Sequence, residues 1–414
     1  ITVKTIICLI FLLFGVSFTK SETQTLKIPG YDGNLVAIKA INNTVVFVAG
    51  INGQIFRSSN SGESWVEVPS VTTLMINSFE FINESLGYAV GKNGVFLKTI
   101  DGGNTWTVLP SFTSITLQKI YCENNNFYAA GNFGAFYKST NSGVTWVNRS
   151  IPSFNDPFLD IYFEGSYGRM VNSHDSLTFW TSSNNGDSWV SSVLPDRTKG
   201  FAMYFSSLSV GYIVGYYYQN CNPIIAKTEN NGTSWTISQL EPGVHLEGIS
   251  FVGTTGYCIG SVASPAKLSR IYKTTDGNSW NVETEFNGHE MFSISTSSNY
   301  CFVSGDSGLV YRSNVPVGIH ALSSQIPFGY CLSQNYPNPF NPSTKINFSL
   351  PKAGKVKLAV YNTVGKEVAV LTNQNLSVGN YTYDFDATNL TSGVYFYTLQ
   401  TDIFTETKKM VLLK

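Results

Sequence analysis

The side chains that could perform catalysis are few in this chain of 414 residues, and none forms a recognisable catalytic set. Only four histidines occur, and no two of them have the spacing of metal ligands. Asp306 and Ser307 stand between glycines, an arrangement that can present a nucleophilic serine on a tight turn. The same register holds hairpin turns at Gly50–Gly53 and Gly91–Gly94, so we interpret this segment as a turn. The sequence predicts no catalytic residue, no metal site and no cofactor.

The charged residues indicate a scaffold rather than an active site. One position of a repeat is basic six times, and a residue type that recurs in this way is expected to support the fold. The densest acidic group is formed by Asp156, Asp160 and Glu164. Paired carboxylates can hydrolyse glycosidic bonds, but in a repeat fold solvated carboxylates are the favoured interpretation. The six basic residues are Arg57, Lys98, Lys138, Lys227, Lys273 and Arg312.

Aromatic and amide residues cluster in one segment, and they are the best candidates for ligand binding. The run is Tyr216-Tyr217-Tyr218-Gln219, and tyrosines beside amides suit contact with a carbohydrate or a peptide. A second candidate pair, His174 and Asp175, lies in a turn without the glycine of its counterparts. The alternative is that the tyrosines pack against one another over an inserted loop.

These candidate segments interrupt a repeat that organises most of the chain. Tryptophan recurs at intervals of 40 to 46 residues, preceded by Ser/Thr-x-Asp/Asn-x-Gly-x-Ser/Thr, with one residue fewer in the sixth copy. The Asp or Asn of this box can accept hydrogen bonds from backbone N–H groups of its own turn, while the glycine allows a left-handed conformation. The tryptophans are Trp65, Trp106, Trp146, Trp189, Trp235 and Trp280, and the Asp or Asn residues, expected to be structural, are Asn60, Asp101, Asn141, Asn184, Asn230 and Asp276.

Each box follows three short strands, and a unit of four strands is typical of a propeller blade. The strand directly before the box occurs seven times, from Ile55–Arg57 to Val310–Arg312. The sequence therefore predicts an all-β fold with a seven-bladed β-propeller at residues 22–316; a solenoid is the alternative. Thr25–Pro29 is similar to the fourth strand of a blade, so we expect it to complete the last blade and close the ring.

The box and its spacing resemble a known repeat. The motif is similar to the Asp-box or BNR repeat, and the spacing resembles that of the photosystem II stability and assembly factors. This resemblance covers residues 24–316 and implies a propeller. It says little about function, because such propellers include sialidases, xyloglucanases, sortilin-like receptors and non-enzymatic surface proteins. The arginine cluster and the Arg-Ile-Pro motif of the sialidases have no counterpart in this sequence.

Composition and the N-terminus indicate an exported protein that does not bind nucleic acid. The formal net charge is -1 and only 13% of the residues are charged, so there is no basic field for a phosphate backbone. The apolar run Ile6–Val16 follows Lys4 and predicts a signal peptide at 1–21. A membrane anchor is the alternative, for which the run is short. The later cysteines lack metal-binding spacing and are expected mainly as buried apolar side chains.

The sequence after residue 316 has a different character. We expect a linker at 317–330 and then, at 331–414, a small Ig-like β-sandwich, because short alternating segments are separated by turn residues. This part closely resembles the type A C-terminal sorting domain of the type IX (Por) secretion system of Bacteroidetes-like bacteria. The matching residues include Asn335, Pro337, Pro339, Gly365, Gly393, Lys408 and Lys409.

The resemblance of the tail implies an export route. The chain would pass through the Sec system, and its C-terminal domain would then be recognised by the type IX secretion machinery. We therefore expect a secreted or outer-membrane-attached, non-enzymatic propeller that binds an extracellular glycan or a surface protein. The first alternative is a BNR-superfamily glycoside hydrolase or lyase that acts on extracellular polysaccharide. An assembly or scaffold factor, by analogy with the photosystem propellers, is the second.

Overall fold

The computed structural model describes residues 24–413 except 70, 153, 173–176, 195–197, 263–266, 316–318, 324–328, 353, 377–378 and 389. The expected signal peptide at 1–21 lies outside the described residues, and so do His174 and Asp175. The described residues form nine four-stranded antiparallel sheets, seven of which precede residue 316. None of the helical segments in the described part of the chain has the length and apolarity that crossing a bilayer requires.

The seven sheets before residue 316 are the blades of a β-propeller, numbered in chain order. Blade one comprises β2 (Leu35–Ala40), β3 (Val46–Gly50), β4 (Ile55–Ser58) and β5 (Val66–Val68). Blade two comprises β6 (Ile76–Phe81), β7 (Gly87–Gly91), β8 (Phe96–Thr99) and β9 (Thr107–Val108). Blade three comprises β10 (Leu117–Glu123), β11 (Asn126–Gly131), β12 (Phe136–Ser139) and β13 (Val147–Asn148). Blade four comprises β14 (Phe158–Glu164), β15 (Tyr167–Asn172), β16 (Thr178–Ser182) and β17 (Val190–Val193). Blade five comprises β18 (Thr198–Phe205), β19 (Gly211–Tyr217), β20 (Pro223–Thr228) and β21 (Thr236–Gln239). Blade six comprises β22 (His245–Val252), β23 (Thr255–Val262), β24 (Leu268–Thr274) and β25 (Asn281–Asn287). Blade seven comprises β26 (Met291–Thr296), β27 (Tyr300–Gly305), β28 (Leu309–Asn314) and, from the N-terminal end, β1 (Gln24–Lys27).

The ring is closed by the strand that the sequence predicted. β1 pairs antiparallel with β28, with Gln24 opposite Arg312 and Lys27 opposite Leu309. The first strand of each blade contacts the first strand of the next, and β26 contacts β2 in the same way. Because the first and last strands of the propeller meet within one sheet, the ring has no open edge between its first and last blades.

Blade two shows why these residues form these strands. Its second strand, β7, is buried along its whole length, whereas both residues of its fourth strand, β9, are exposed. The inner strands are apolar on both faces because neighbouring blades cover both faces of each sheet. A short 3-10 turn at Lys92–Gly94 joins β7 to β8. Gly94 has a φ of +71° there, and a Cβ atom would collide with the Thr113 carbonyl, so glycine is required.

The tryptophans of the boxes pack between neighbouring blades. Trp106 is 4% exposed. Its ring meets Phe47 of blade one edge-on at 6.2 Å and lies 5.7 Å from Phe79 of its own blade. Burial of one such side chain stabilises the fold by about 1.5–3 kcal/mol. Comparable ring contacts are made by Trp146, Trp189, Trp235 and Trp280.

The first strand of every blade carries a β-bulge at the same register. In each case one residue is left without a partner on the second strand, as between Leu246 and Gly248 of β22. A bulge turns a side chain away from the regular pleat, and the first strands surround the central channel of a propeller. The seven bulge residues are Val36, Asn77, Gln118, Leu159, Phe201, Glu247 and Phe292.

The C-terminal part consists of two further sheets around one core. One sheet has the order β29-β34-β31-β30 and the other β33-β32-β35-β36. Ile346, Leu358 and Tyr397 are among the core residues that the two sheets share. The strands are β29 (Ile319–Ser323), β30 (Cys331–Leu332), β31 (Ser343–Leu350), β32 (Gly354–Asn362), β33 (Glu367–Leu376), β34 (Gly379–Asp386), β35 (Gly393–Thr401) and β36 (Thr405–Leu412).

Part of the segment expected to be a linker is a strand of this domain. β29 pairs antiparallel with β34, with Ile319 opposite Tyr383. A backbone edge of β34 is thereby covered. The linker expected at 317–330 therefore contributes to the C-terminal sheet instead of only connecting the two regions.

Candidate functional site

The two sides of the propeller ring are built differently. Antiparallel strands alternate in direction, so the boxes after each third strand and the loops after each first strand lie on one side, which we call the box side. The turns after each second strand and the connections between blades lie on the other side, which we call the loop side. The sequence candidates are divided between these two sides.

On the box side, the Asp or Asn side chain of each box accepts hydrogen bonds from backbone N–H groups of its own turn. In blade two, the Thr105 backbone N–H donates to Asp101 Oδ1 at 3.0 Å, and the Gly103 N–H donates to Thr99 Oγ1 at 2.8 Å. The hydrogen bonds from Thr105 lower the pKa of Asp101 to about 2. Corresponding backbone bonds are accepted by Asn60, Asn141, Asn184 and Asn230. In the shorter sixth box, Asp276 accepts the backbone N–H groups of Asn278 and Ser279.

In four of the six blades that carry it, the recurring basic residue contacts the box of the next blade, whereas Lys98 and Lys273 contact residues of their own blade. Arg57 Nε donates to the Gly102 carbonyl at 3.0 Å, and Lys227 Nζ lies 2.8 Å from Asn278 Oδ1. Lys138 meets Asp187, and Arg312 Nη1 donates across the ring closure to the Ser61 carbonyl. These contacts give the repeated cations a role in holding blades together.

Blade four lacks this basic residue and replaces it from a neighbouring strand. Thr181 occupies the position, and its register partner on β15 is Arg169. Arg169 is fully buried, and its Nε donates to Asn231 Oδ1 at 3.0 Å while Nη2 donates to the Leu208 carbonyl at 2.7 Å. The guanidinium carbon also lies 4.1 Å from the ring centre of Phe205. Both acceptors belong to blade five, so the joint between blades is preserved.

Two members of the acidic group noted in the sequence, Asp156 and Asp160, are engaged within the fold. Asp160 is 7% exposed; its Oδ2 accepts the Met203 backbone N–H at 2.9 Å, and its Oδ1 lies 3.2 Å from Lys119 Nζ. Asp156 accepts a hydrogen bond from the Asn172 amide. Asp160 thus links three blades and is not positioned as a solvated acid.

On the loop side, aromatic rings and one lysine form a cluster that we call the tyrosine–lysine patch: Lys199, Phe201, Tyr216, Tyr218 and His245. The Tyr216 ring stacks on the His245 ring with centres 4.0 Å apart and planes 17° apart, and it lies 5.8 Å from Phe201. Lys199 Nζ is 4.9 Å from the ring centre of Tyr218 and 6.0 Å from that of Tyr216. Tyr218 is 51% exposed. The patch therefore offers ring surface and one positive charge to solvent.

The strands position these side chains by register. Lys199 and Tyr216 are direct partners across β18 and β19, Phe201 is the bulge residue of β18, and His245 begins the first strand of the next blade. Burial, followed by the positive charge of Lys199, lowers the pKa of His245. At neutral pH the imidazole is therefore uncharged and Lys199 is the cation of the patch.

The predicted tyrosine segment is only partly assembled into this patch. Tyr216 and Tyr218 belong to it, whereas Tyr217 closes the turn, with its N–H donating to the Asn222 carbonyl and its carbonyl accepting the Cys221 N–H. Gln219 lies in that turn. Sequence reasoning missed Lys199, Phe201 and His245. They join the patch through strand register, as Lys199 does opposite Tyr216, and through contact between blades, as His245 does.

A second polar cluster lies on the loop side of blades six and seven. Asp306 is 3% exposed. Its Oδ2 accepts a hydrogen bond from Lys267 Nζ at 2.6 Å, and its Oδ1 lies 2.9 Å from His289 Nδ1. Burial alone would raise the pKa of Asp306, but the hydrogen bonds from Lys267 and His289 outweigh it and lower the pKa. Ser307 has a φ of 54° in the turn between β27 and β28. The segment is thus a hairpin turn, in agreement with the sequence interpretation.

One carboxyl group on this side has an unusual protonation state. Glu247, the bulge residue of β22, has a pKa raised to about 7 by burial and by the negative charge of Glu290, against the opposing effect of the Ser261 hydroxyl. No group of three His, Cys, Asp or Glu residues suited to a metal ion occurs in the described part of the chain. The five described cysteines are free thiols, and Cys258 and Cys301 are buried.

Most of the tail residues noted in the sequence lie in or beside its last strand, β36. Asn335 is 2% exposed and donates to the Pro337 carbonyl at 3.0 Å. Asn338, between Pro337 and Pro339, accepts the Val411 N–H at 2.9 Å and donates to the Lys409 carbonyl. The proline segment is therefore attached to the terminal strand although more than 60 residues separate them. Gly365 has a φ of 78° in a tight turn, Gly393 begins β35, and Lys408 lies with Lys409 in β36.

Comparison with known proteins agrees with both regions. Residues 334–413 match the family model of the secretion system C-terminal sorting domain. A structure of YCF48 bound to a D1 peptide is similar over 71% of this chain and 95% of its own, with a TM-score of 0.57 and 17% identity. YCF48 from Cyanidioschyzon merolae is similar over 70% of this chain and 98% of its own, with a TM-score of 0.55 and 15% identity. The WD40 propeller domain of Doa1 covers 71% of this chain and 97% of its own, with a TM-score of 0.52 and 12% identity.

No curated protein matches the sequence. The low identities to the solved structures show the fold and no more. The match of the tail indicates type IX secretion to the cell surface or the medium. The chain therefore consists of a β-propeller followed by a secretion system C-terminal sorting domain.

Proposed function

We propose that this protein is an exported, non-enzymatic binding module whose propeller holds an extracellular ligand on its loop side. The observation that carries the proposal is the tyrosine–lysine patch, in which Tyr216 stacks on His245 and Lys199 lies against the half-exposed ring of Tyr218. Stacked aromatic rings with polar tips are a common surface for recognition of carbohydrate and protein ligands.

The contrast between the two sides of the ring supports this placement. On the box side the polar groups that recur are engaged in turns and in joints between blades. On the loop side the patch is specific to blades five and six, and its cation has no ionic partner among the described residues. Binding groups on a repeat fold are expected where the repeat is interrupted, because repeated residues serve the fold.

The tail supports delivery of this module to the outside of the cell. A C-terminal sorting domain gives the type IX secretion machinery a recognition element, and the cargo in front of it reaches the surface or the medium. An extracellular glycan or a surface protein is the class of ligand available there. A propeller of similar fold, YCF48, has been seen with a bound D1 peptide, which shows that a related architecture can hold a linear ligand.

A glycoside hydrolase or lyase is the second candidate function, and one observation favours it. The pKa of about 7 at Glu247 is suited to a general acid, and Glu290, which contributes to that shift, is a second carboxylate in its vicinity. In this alternative Glu247 would protonate a leaving oxygen and Glu290 would be the second carboxyl group of the pair. The binding proposal is preferred because the patch presents exposed ring surface and needs no catalytic geometry.

Binding of purified full-length chain to a panel of bacterial and host glycans and to outer-membrane protein extracts tests the proposal. Tyr218→Ala is expected to abolish the signal that the wild type gives, since it removes the exposed ring of the patch. Tyr167→Ala is the matched control, because Tyr167 is 42% exposed and lies on the box side. Equal binding by wild type and Tyr218→Ala would contradict the proposal. Release of reducing sugar that Glu247→Gln abolishes would establish the hydrolase instead.

A further inference from the structure

We propose that the ligand of the tyrosine–lysine patch is an anionic polysaccharide whose pyranose rings carry carboxylates. This inference rests on the proposed function and names the class of ligand. It follows from three properties of the patch: its ring surface, a cation without an ionic partner among the described residues, and a neighbouring turn in which several backbone groups already bond to one another.

The ring surface is suited to a sugar ring. Tyr216, His245 and Phe201 lie nearly parallel, with interplanar angles of 17° and 19° at Tyr216. The C–H face of a pyranose is apolar and flat, and it gains contact with such rings while its hydroxyl groups stay in water. His245 contributes as a neutral ring, because burial and Lys199 lower its pKa.

The charge of the patch selects an anionic ligand. Lys199 is near two tyrosine rings and makes no ion pair with any described residue. By contrast, Lys267 on the same side is neutralised by Asp306 at 2.6 Å. A carboxylate brought to Lys199 would gain a charge-assisted hydrogen bond, which is stronger than a bond between neutral groups.

The backbone beside the patch favours a sugar over an acidic peptide. An extended peptide binds through main-chain hydrogen bonds to free N–H and C=O groups. In the adjoining turn, Tyr217 N–H donates to the Asn222 carbonyl at 2.9 Å and the Cys221 N–H donates to the Tyr217 carbonyl at 2.8 Å. Asn222 N–H in turn donates to Asn220 Oδ1. These groups are satisfied within the turn and are therefore not available to an extended peptide.

Titration calorimetry of the full-length protein with polygalacturonate and with its fully methyl-esterified form tests the inference. Esterification removes the charge and keeps the ring, so the wild type should bind the esterified form at least about tenfold more weakly. Lys199→Met should lose about tenfold on polygalacturonate and nothing on the ester, while Lys199→Arg should retain binding. Binding to polygalacturonate should also weaken between 50 and 500 mM salt.

Lys98→Met is the matched control, because Lys98 Nζ also lies 5.8 Å from a tyrosine ring, that of Tyr88 in blade two. It should leave both titrations unchanged. Tyr218→Ala should weaken binding of both polymers. Circular dichroism of each variant at the same concentration separates loss of binding from loss of fold.

The outcomes separate this inference from the proposed function. If Tyr218→Ala weakens binding while Lys199→Met does not, or if both polymers bind equally, the patch binds its ligand but the anionic class is wrong. Equal or tighter binding of poly-L-glutamate would replace the polysaccharide by an acidic peptide. An absence of polygalacturonate and alginate binding overturns the inference. If neither glycans nor surface proteins respond to Tyr218→Ala, the proposed function is wrong as well.

Discussion

The box side and the loop side of this propeller differ in what their polar side chains do. On the box side, Asp101 and its five counterparts each hold one turn, and cations such as Arg57 reach the turn of the next blade. On the loop side, Lys199 contacts the ring of Tyr218, and this contact neither stabilises a turn nor recurs in the described residues of other blades. The comparison teaches that a repeat protein uses its recurring polar residues for assembly and leaves departures from the repeat for recognition.

Blade four is the most informative departure on the box side. Its third strand lacks the basic residue, and Arg169 from the neighbouring strand supplies the cation to blade five. A change of sequence on the box side has thus been compensated within the same joint. On the loop side, by contrast, the contact between Lys199 and Tyr218 replaces no recurring joint between blades.

The largest effect on stability is expected at Arg169. Arg169→Ala removes a fully buried side chain and leaves the Leu208 carbonyl and Asn231 without their donor. The free energy of unfolding should fall by about 3–4 kcal/mol. Guanidinium denaturation of wild type and variant measures this.

Arg149→Ala is the control for that experiment. Arg149 is 46% exposed at its side chain and pairs with Asp187 at 3.4 Å, so its loss should change stability by less than about 1 kcal/mol. If the two variants lowered the free energy of unfolding by similar amounts, the contacts of Arg169 between blades four and five would contribute no more to stability than an exposed ion pair.

A second effect should appear at Glu247 and depend on pH. The folded-state pKa of about 7 lies above the ordinary value of 4.5. The protonated form is therefore favoured in the folded state, and the wild type should lose stability as pH rises from about 4.5 through 7. For this partly buried group we expect a loss of about 2 kcal/mol, since one pKa unit corresponds to about 1.4 kcal/mol.

Glu247→Gln should remove that loss, so the variant should be more stable than wild type at pH 8 and equal to it at pH 4. Thermal or chemical unfolding at both values measures the difference. Because the second candidate function needs a titrating Glu247, a pH-independent difference between variant and wild type would count against both the raised pKa and an acid role.

A smaller effect is expected in a single box. Asp101→Ala removes the acceptor for the Thr105 N–H and hydroxyl and should cost about 1 kcal/mol, as loss of a comparable cap does. Asp101→Asn should restore most of it at pH 7, because four other boxes use asparagine with the same backbone bond.

The same pair of variants has an expected pH dependence. The pKa of Asp101 is lowered from 3.8 to about 2, so its contribution is present above pH 3.8 and lost as pH falls toward 2. Asp101→Asn should lack this loss. An equal acid sensitivity of wild type and Asp101→Asn would show that other carboxylates account for it.

The fold was largely predictable because its determinants are local in the sequence. The box bonds join residues two and four positions apart, as between Thr99, Asp101 and Thr105, and a pattern of that length repeats visibly. The tyrosine–lysine patch was predictable only at Tyr216 and Tyr218. Lys199 and His245 join it through strand register and through contact between two blades, neither of which follows from residue spacing.

The substitution of Arg169 for the missing basic residue of blade four was not foreseen for the same reason. Its recognition requires knowing that Arg169 and Thr181 are opposite each other on adjacent strands. The role of the tail prolines shows the same limit: Asn338 and Val411 are adjacent only in the folded domain.

The smallest effect on stability, and the sharpest test of the comparison, is expected at Tyr218. Its ring is 51% exposed and its contact with Lys199 is an exposed cation–π interaction, so Tyr218→Ala should lower the free energy of unfolding by less than about 1 kcal/mol. Because the proposed binding depends on the same ring, affinity should fall while stability hardly changes. On the box side the order is reversed, since Arg169→Ala should unfold the protein more readily and leave the affinity of the remaining folded protein intact. Denaturation and binding should therefore be measured on both variants. If Tyr218→Ala destabilised the fold as strongly as Arg169→Ala, the tyrosines would serve the packing of the fold, and the loop side would not differ from the box side in function.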